Sequence, residues 1–361
     1  MAIYYYGWES RCETGIEAAA SYGTAPLTGA FFALSYLRSM TVNVNENVER
    51  ITTANRATGL WTQTEVKGAH LATATLKFWM PDDMSATVNE TWFLKAPLDE
   101  FNVAHDATKW VVPNTGTSVY GSNALQSYTY EIAFNKSGSV VGWRLHGGYV
   151  NKMNMVINKA NPIEFTYDIV CQYAERITAF TNGAATVLAS TVPPLNWSNV
   201  TLQWKGEDDA LSTHTDFTNV SITLENDLMA NQDIVLQTIN RVPSEYIMGY
   251  TNGRRITGNI TVNRTTTTGQ KWEEIVLSAT AAATNPSATI QLGQLTLQVN
   301  SVITSAKNFK YTFYNVVIGE LPQDIDFSKV QELTIPITAQ YYLWEFTTAD
   351  TTGITLWDDQ S

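Results

Sequence analysis

Short runs that alternate apolar and polar residues dominate the chain, and alternation with period two marks strands with one face buried. In Met40–Val48, MTVNVNENV, Val42 and Val44 alternate with Asn43 and Asn45. In Ile163–Ile177, IEFTYDIVCQYAERI, Ile163, Phe165, Tyr167 and Ile169 alternate with Glu164, Thr166 and Asp168. Tyr128–Phe134 is rich in β-formers, and Ser139–Ile157 reads as a strand, a glycine break and a second strand. NVTLQW, NVSITLEN, RITGNITVNR, LTLQVNSVI, KYTFYNVVI and ELTIPITAQYYLWEF continue the pattern. Pro336 interrupts the last, which places it at an edge or a bulge. Helical patterning is sparse. Thr265–Ala283 puts Trp272, Ile275, Val276 and Ala279 on one face behind a Thr268 or Gly269 cap, and a weaker candidate near Glu90–Phe101 is cut by Pro97. The expected fold class is all-β with minor α.

Of the 361 residues only 16% are charged, against about 25% in a typical soluble domain. Lys plus Arg is 22 and Asp plus Glu is 34, a formal charge of −12. That balance opposes a DNA-binding surface, because phosphates repel it, and is compatible with a duct through which DNA slides without sticking. A polar but weakly charged surface suits a protein packed against copies of itself; Thr-rich strands give the same composition. The longest apolar run, Pro26–Leu37, is too short and interrupted to span a bilayer. MAIYYYGWESR lacks a basic segment followed by an apolar one, so no secretory signal is read there. Cys12 and Cys171 are too few for a disulfide framework and are expected as buried, reduced thiols.

The segment Ala179–Trp197 is rich in Ala and Thr, ends near Pro193–Pro194 and divides the chain almost in half. Blocks on either side of it match in the same order. TVNVNENV and VSITLENDL come first. VKGAHLATATLKF and TNGRRITGNITVNR follow, aligned as Gly68-x-x-Leu71 on Gly253-x-x-Ile256. GWRLHGGYVNKMNMVI then matches FKYTFYNVVIGELP, and PIEFTYDIVCQYAE matches ELTIPITAQYYL. The shared order points to a duplicated β domain. The expected organisation is an N-terminal interaction arm at 1–36, a first β domain at 37–178, a linker at 179–197, a second β domain at 198–346 and a tail at 347–361. The aromatic run Tyr4, Tyr5, Tyr6 and Trp8 would be the contacting part of the arm.

Catalytic constellations are absent from the pattern. The four histidines, His70, His105, His146 and His214, stand in no zinc or nucleophile motif, and no G-x-S-x-G or P-loop occurs. Glu207, Asp208, Asp209 and Asp216 lie near His214 but without the spacing of a calcium loop. No enzyme activity, cofactor or metal is expected. Tryptophans spread over the whole chain suit core and interface anchors; a carbohydrate- or receptor-binding β-sandwich is the alternative they leave open.

Three features resemble the tail tube proteins of long-tailed, siphovirus-like bacterial and archaeal viruses, in their duplicated-domain form. They are EAAASYGTAP at Glu17–Pro26, the Gly68 and Gly253 strand openings, and Phe313–Tyr341, a strand, a proline-bearing loop and a returning strand. The resemblance implies two tandem β-sandwich or partial-barrel domains, each with a flanking helix, contributing strands to a shared inner β-barrel. It implies stacked rings of the virion tail tube, assembled in the host cytoplasm, from trimers with pseudo-sixfold symmetry or from hexamers. The implied partners are further copies of the chain, the tape-measure protein, the tail terminator and distal tail proteins, and DNA in transient passage, with no membrane. The polar phases of the repeated strands, Asn43, Asn45, Glu164, Thr166, Asp168, Thr223 and Glu225, are then the candidates for the lumen.

Overall fold

The computed structural model describes residues 10–17, 23–24, 31–34, 36–55, 60–82, 105–106, 109–113, 127–136, 139–181, 193–205, 211–230, 246–248, 255–263, 292–302, 308–318, 331–339 and 341–347. They form an all-β fold. The strands are β1 (Ser10–Ile16), β2 (Phe31–Ala33), β3 (Leu37–Asn55), β4 (Leu60–Trp79), β5 (His105–Asp106), β6 (Lys109–Pro113), β7 (Tyr128–Lys136), β8 (Ser139–Asn158), β9 (Glu164–Cys171) and β10 (Tyr173–Ile177). After a short 3-10 turn at Trp197–Asn199 come β11 (Val200–Lys205), β12 (Ser212–His214), β13 (Phe217–Glu225), β14 (Leu228–Ala230), β15 (Tyr246–Met248), β16 (Arg255–Asn263), β17 (Gly293–Asn300), β18 (Asn308–Val316), β19 (Glu332–Ala339) and β20 (Tyr341–Thr347). Both helix candidates, 265–283 and 90–101, lie outside the described residues, as do Tyr4, Tyr5, Tyr6 and Trp8. Among the described residues no helix is long and apolar enough to cross a membrane.

Among the described residues every ladder is antiparallel. The main sheet runs β3–β4–β9–β8–β13–β16–β19. Two flanking sheets, β10–β8–β7–β1–β2 and β12–β11–β17–β18–β20–β6–β5, cover its apolar face. The strand–break–strand expected at Ser139–Ile157 is one strand that bends: β8 begins in the first flanking sheet and ends in the main sheet. It turns at Gly147, whose φ of 60° favours glycine. One core joins all three sheets. Phe78 meets Tyr167 edge-on at 5.0 Å and Phe165 at 5.6 Å, while Trp204, Leu297 and Tyr311 enter it from the second flanking sheet.

The pairing diagram occurs twice. β10–β8–β7–β1–β2 is matched by β20–β18–β17–β11–β12, and β3–β4–β9 by β13–β16–β19. An offset of 168 residues carries the pair His146–Tyr173 onto Tyr314–Tyr341, and Tyr149–Val170 onto Val317–Thr338. Offsets of 180 for β3 and 184 for β4 carry Thr41–Thr75 onto Ser221–Asn259. The irregularities coincide as well. The bulge at Leu37/Ser39 maps onto Phe217/Asn219, and that at Tyr128/Tyr130 onto Gly293/Leu295. The bend at Gly147 maps onto Asn315, with φ of 49°. Bulges redirect a strand at a fixed point, so matched bulges mean matched paths.

The ladder shifts the sequence alignment by one residue. The true offset for β4 is 184, so Ala72 rather than Leu71 is the counterpart of Ile256. One residue exchanges the faces of a strand: Ala72 and Ile256 are both buried, whereas Leu71 lies on the other side. Part of the span 1–36 also belongs to the fold, since β1 pairs with β7 along its whole length and with β2. The flanks of the connection between the halves are fixed too. Leu195 is buried, its N–H donates to Met80 O at 3.0 Å, and its carbonyl accepts from Ile163 N at 2.8 Å.

The two halves meet where β8 pairs with β13, from Lys152–Glu225 to Asn158–Asn219. Ile222 of β13 faces the core and is fully buried, and Thr223 faces away. Ile222→Ala is expected to cost about 2–5 kcal/mol and Thr223→Ala to stay within about 0.5 kcal/mol; urea titration of both variants measures the difference, and equal effects would contradict this facing.

Candidate functional site

The main sheet has one apolar and one polar face, because each of its strands alternates. Ala72, Leu76, Phe165, Met155, Ile222 and Ile335 sample the buried side. The opposite side is a field of Thr, Asn and Ser crossed by a few charges. Its residues line up in cross-strand rows. One row reads Ser39, Lys77, Thr166, Asn154, Thr223, Thr257, Thr338. The next reads Thr41, Thr75, Asp168, Lys152, Glu225, Arg255.

All seven lumen candidates, Asn43, Asn45, Glu164, Thr166, Asp168, Thr223 and Glu225, fall on this one face. Their neighbours were not anticipated. Lys77, Lys152, Asn154, Arg255, Asn259 and Thr334 complete the surface, and Glu332 is the counterpart of Glu164 at the offset of 168. Only the register, not the alternation, shows which residues become neighbours.

Hydroxyls and carboxylates on the face are bonded to each other. Thr75 Oγ1 donates to Asp168 Oδ1 at 2.9 Å, Ser221 Oγ to Asn154 Oδ1 at 3.2 Å, and Thr261 and Thr334 share a bond of 3.1 Å. Lys77 Nζ lies 2.8 Å from Glu164, Arg255 Nη2 lies 2.8 Å from Glu225, and the Arg38 guanidinium stacks on Trp79 at 4.4 Å. Among the residues of this face whose side chains are described, Arg38, Lys77, Lys152 and Arg255 stand against Glu164, Asp168, Glu225 and Glu332, four charges of each sign. Exposed pairs of this kind contribute at most about 1 kcal/mol each. Opposite charges this close together cancel each other's field beyond the surface.

A second polar cluster lies behind the first flanking sheet, buried at Glu13, Glu17 and Glu131 and open to solvent at Glu175. Glu13, Glu131, Arg144 and Glu175 form one cross-strand row. Glu131 Oε1 accepts from Arg144 Nε at 2.7 Å and also from the Thr181 hydroxyl, and Oε2 accepts from Thr181 N at 2.8 Å. Arg144 reaches Glu175 at 2.5 Å, and Glu13 pairs with Arg11. Glu17 accepts from Gly147 N, Gly23 N, both at 2.9 Å, and Thr129 Oγ1 at 2.6 Å. The carboxylates thereby pin the β8 bend and the segment that leaves β10. His146 is buried mid-strand, stacked on Tyr173 at 4.3 Å, with Nε2 3.2 Å from Glu175. His214 is buried in β12, while Glu207, Asp208 and Asp209 lie outside the described residues. Among the described residues no three His, Cys, Asp or Glu side chains gather as a metal site.

No family model and no curated protein matches the chain. Among solved structures, the toluene transporter TodX of Pseudomonas putida is 8% identical, covering 94% of this chain and 86% of that one, with a TM-score of 0.11. A likeness at that score carries no argument about fold or function.

The buried cluster sets a pH dependence. Burial lowers the His146 pKa below the ordinary 6.5, against the opposing pull of Glu175. Burial alone would raise the Glu175 pKa, but the hydrogen bonds and charges of His146 and Arg144 outweigh it and lower it. Below about pH 6.5 the unfolded imidazole takes up a proton that folded His146 resists, so stability falls with pH through that range. Glu175 adds its loss below about pH 4.3, where the unfolded carboxylate protonates first. Thermal melts are expected to show decreasing stability from pH 7 to 5 in the native chain and a flatter profile in His146→Phe; identical slopes would contradict the assignment.

Proposed function

We propose that the chain is a structural subunit of a viral tail tube, a conduit for the tape-measure protein and for genomic DNA. The carrying observation is the polar face of the main sheet: continuous across both halves of the chain, dominated by hydroxyl and amide groups, and with its described charges matched four against four. DNA carries a dense row of phosphates, and affinity for it comes chiefly from cations that release its counterions. A wall of paired, opposite charges among Thr and Asn offers neither a cationic track nor strong repulsion. It suits a duct through which a polyanion moves without being held.

In this reading each matched half is one tail-tube-like β domain, with a flanking helix drawn from 90–101 and 265–283. Three copies supply six such domains to a ring, with a hexamer of chains as the other stoichiometry. Rings stack through the N-terminal aromatic run and meet the tail terminator and distal tail proteins at the two ends of the virion tail tube. The role is mechanical and non-enzymatic, and assembly takes place in the host cytoplasm. The alternative, a carbohydrate- or receptor-binding β-sandwich of a virion, needs aromatic rings on an open platform. Here Trp204, Tyr128, Tyr130, Tyr167, Tyr311 and Phe165 are the largest fully buried side chains among the described residues.

Negative-stain imaging of concentrated protein is expected to show rings or stacked tubes. Assembled native protein should retain no duplex DNA at physiological salt, and the triple variant Thr166→Arg, Thr223→Arg, Thr334→Arg should gain salt-dependent retention. Strictly monomeric protein, or strong retention by the native assembly, would contradict the proposal.

A further inference from the structure

We infer that His70 is an acid-released latch: neutral, it ties the root of the β3–β4 arm to the first flanking sheet, and protonated it lets go. β9 parts from β4 beside it, the last pair being Ala72–Cys171. From Val48–Lys67 to Asn55–Leu60, β3 and β4 pair only with each other among the described residues. A two-stranded ribbon is marginally stable by itself, so the arm depends on how its root is held. The ladder is irregular at that root. A bulge falls between Glu46 and Val48, and Glu46 stands opposite His70. A bulge bends the strand that carries it.

After Cys171 the chain crosses to the flanking sheet, where β10 pairs with β8. Ala174 N points to the other side of β10 and donates to His70 Nε2 at 3.2 Å. The imidazole thus stands where a carbonyl of a neighbouring strand would. A backbone N–H only donates, so Nε2 offers its lone pair and the neutral ring carries its proton on Nδ1. A second proton, taken from solvent, goes to Nε2 and sets two donors against each other. The bond therefore exists only with the neutral ring. The titratable and charged groups on the elements beside it are Glu46 on β3, Cys171 on β9, His146 on β8, Tyr173, Glu175 and Arg176 on β10, and Lys67 on its own strand. Glu46 is directly opposite in the ladder, and opposite charges at such positions attract. The second half lacks the device. β20, the counterpart of β10, has β6 along that side. The counterpart of His70, at the offset of 184, is Arg254, whose guanidinium has no acceptor. The latch goes beyond the tube reading and does not depend on it.

Amide exchange in the full chain tests the latch. After correction for the intrinsic rate, protection of the Ala174 amide is expected to fall about tenfold from pH 7.5 to 5.5, a range that spans the ordinary imidazole titration. The Glu175 amide, which alternation turns toward β8, should keep its protection and so report that the sheet stays folded. His70→Gln keeps an accepting carbonyl at every pH, and its Ala174 protection should stay flat. His146→Phe should leave the acid loss in place, which separates the latch from the effect of His146 on stability. A spin label on Thr53→Cys, in the arm, is expected to gain mobility over the same range, and to gain none when His70→Gln is added. Cys12 and Cys171 are buried and stay unlabelled. Imidazole nitrogen shifts need no variant: the native ring should carry its proton on Nδ1 at pH 7.5. A proton on Nε2 at that pH would overturn the inference. So would Ala174 protection that ignores pH, acid loss that persists in His70→Gln, or an arm label that stays rigid while Ala174 opens.

Discussion

The fold depends on one strand that serves two sheets. The first part of β8 pairs with β7 and β10, and the last part with β9 and β13. The change of direction is concentrated at Gly147, where the backbone turns left-handed and the freed N–H donates to buried Glu17. Without that bend the flanking sheet could not lie over the apolar side of the main sheet, and β8 could not reach the second half. Asn315 makes the same turn in β18, and Asn tolerates that conformation better than most residues with a side chain. The two halves are thus built around the same bent strand.

Much of this was legible in the sequence. Alternation assigns each residue of an isolated strand to a face, which is why Asn43, Thr166 and Thr223, chosen from three distant segments, emerge on one surface. The matched order of blocks was legible for the same reason. Register was not: the Gly68–Gly253 alignment slipped by one residue, and nothing local penalises such a slip until a core face is buried. Lys152 and Asn154 were passed over because their importance lies in their neighbours across the ladder. Glu17 and Glu131 read as polar positions and are instead fully buried, held by donors from segments that the sequence does not place nearby, while buried Glu13 pairs with Arg11 of its own strand.

The halves have diverged where their tasks differ. Glu131 and Arg144 correspond to Thr296 and Thr312, which share only a 3.5 Å hydroxyl contact. The charged clamp of the first half grips Thr181, the point from which the chain sets out toward its second half. A clamp there fixes the departure of the connection and with it the joint between β8 and β13. Burying charges is costly unless each is bonded, and Glu131 is bonded by Arg144 and twice by Thr181. The second half shows no such clamp at the corresponding positions and relies on apolar packing.

The seven main-sheet strands of each of three copies would enclose a barrel about 40 Å across between backbones, from the strand spacing and the tilt. That is room for a DNA duplex between polar walls. End-on cryo-electron microscopy of the purified assembly tests this account most directly. The expected result is a closed inner wall of antiparallel strands tilted by about 36°, continuous across chain boundaries, with Thr166, Thr223 and Thr334 facing the channel. A wall broken at β3, or one that turns its polar face outward, would contradict it.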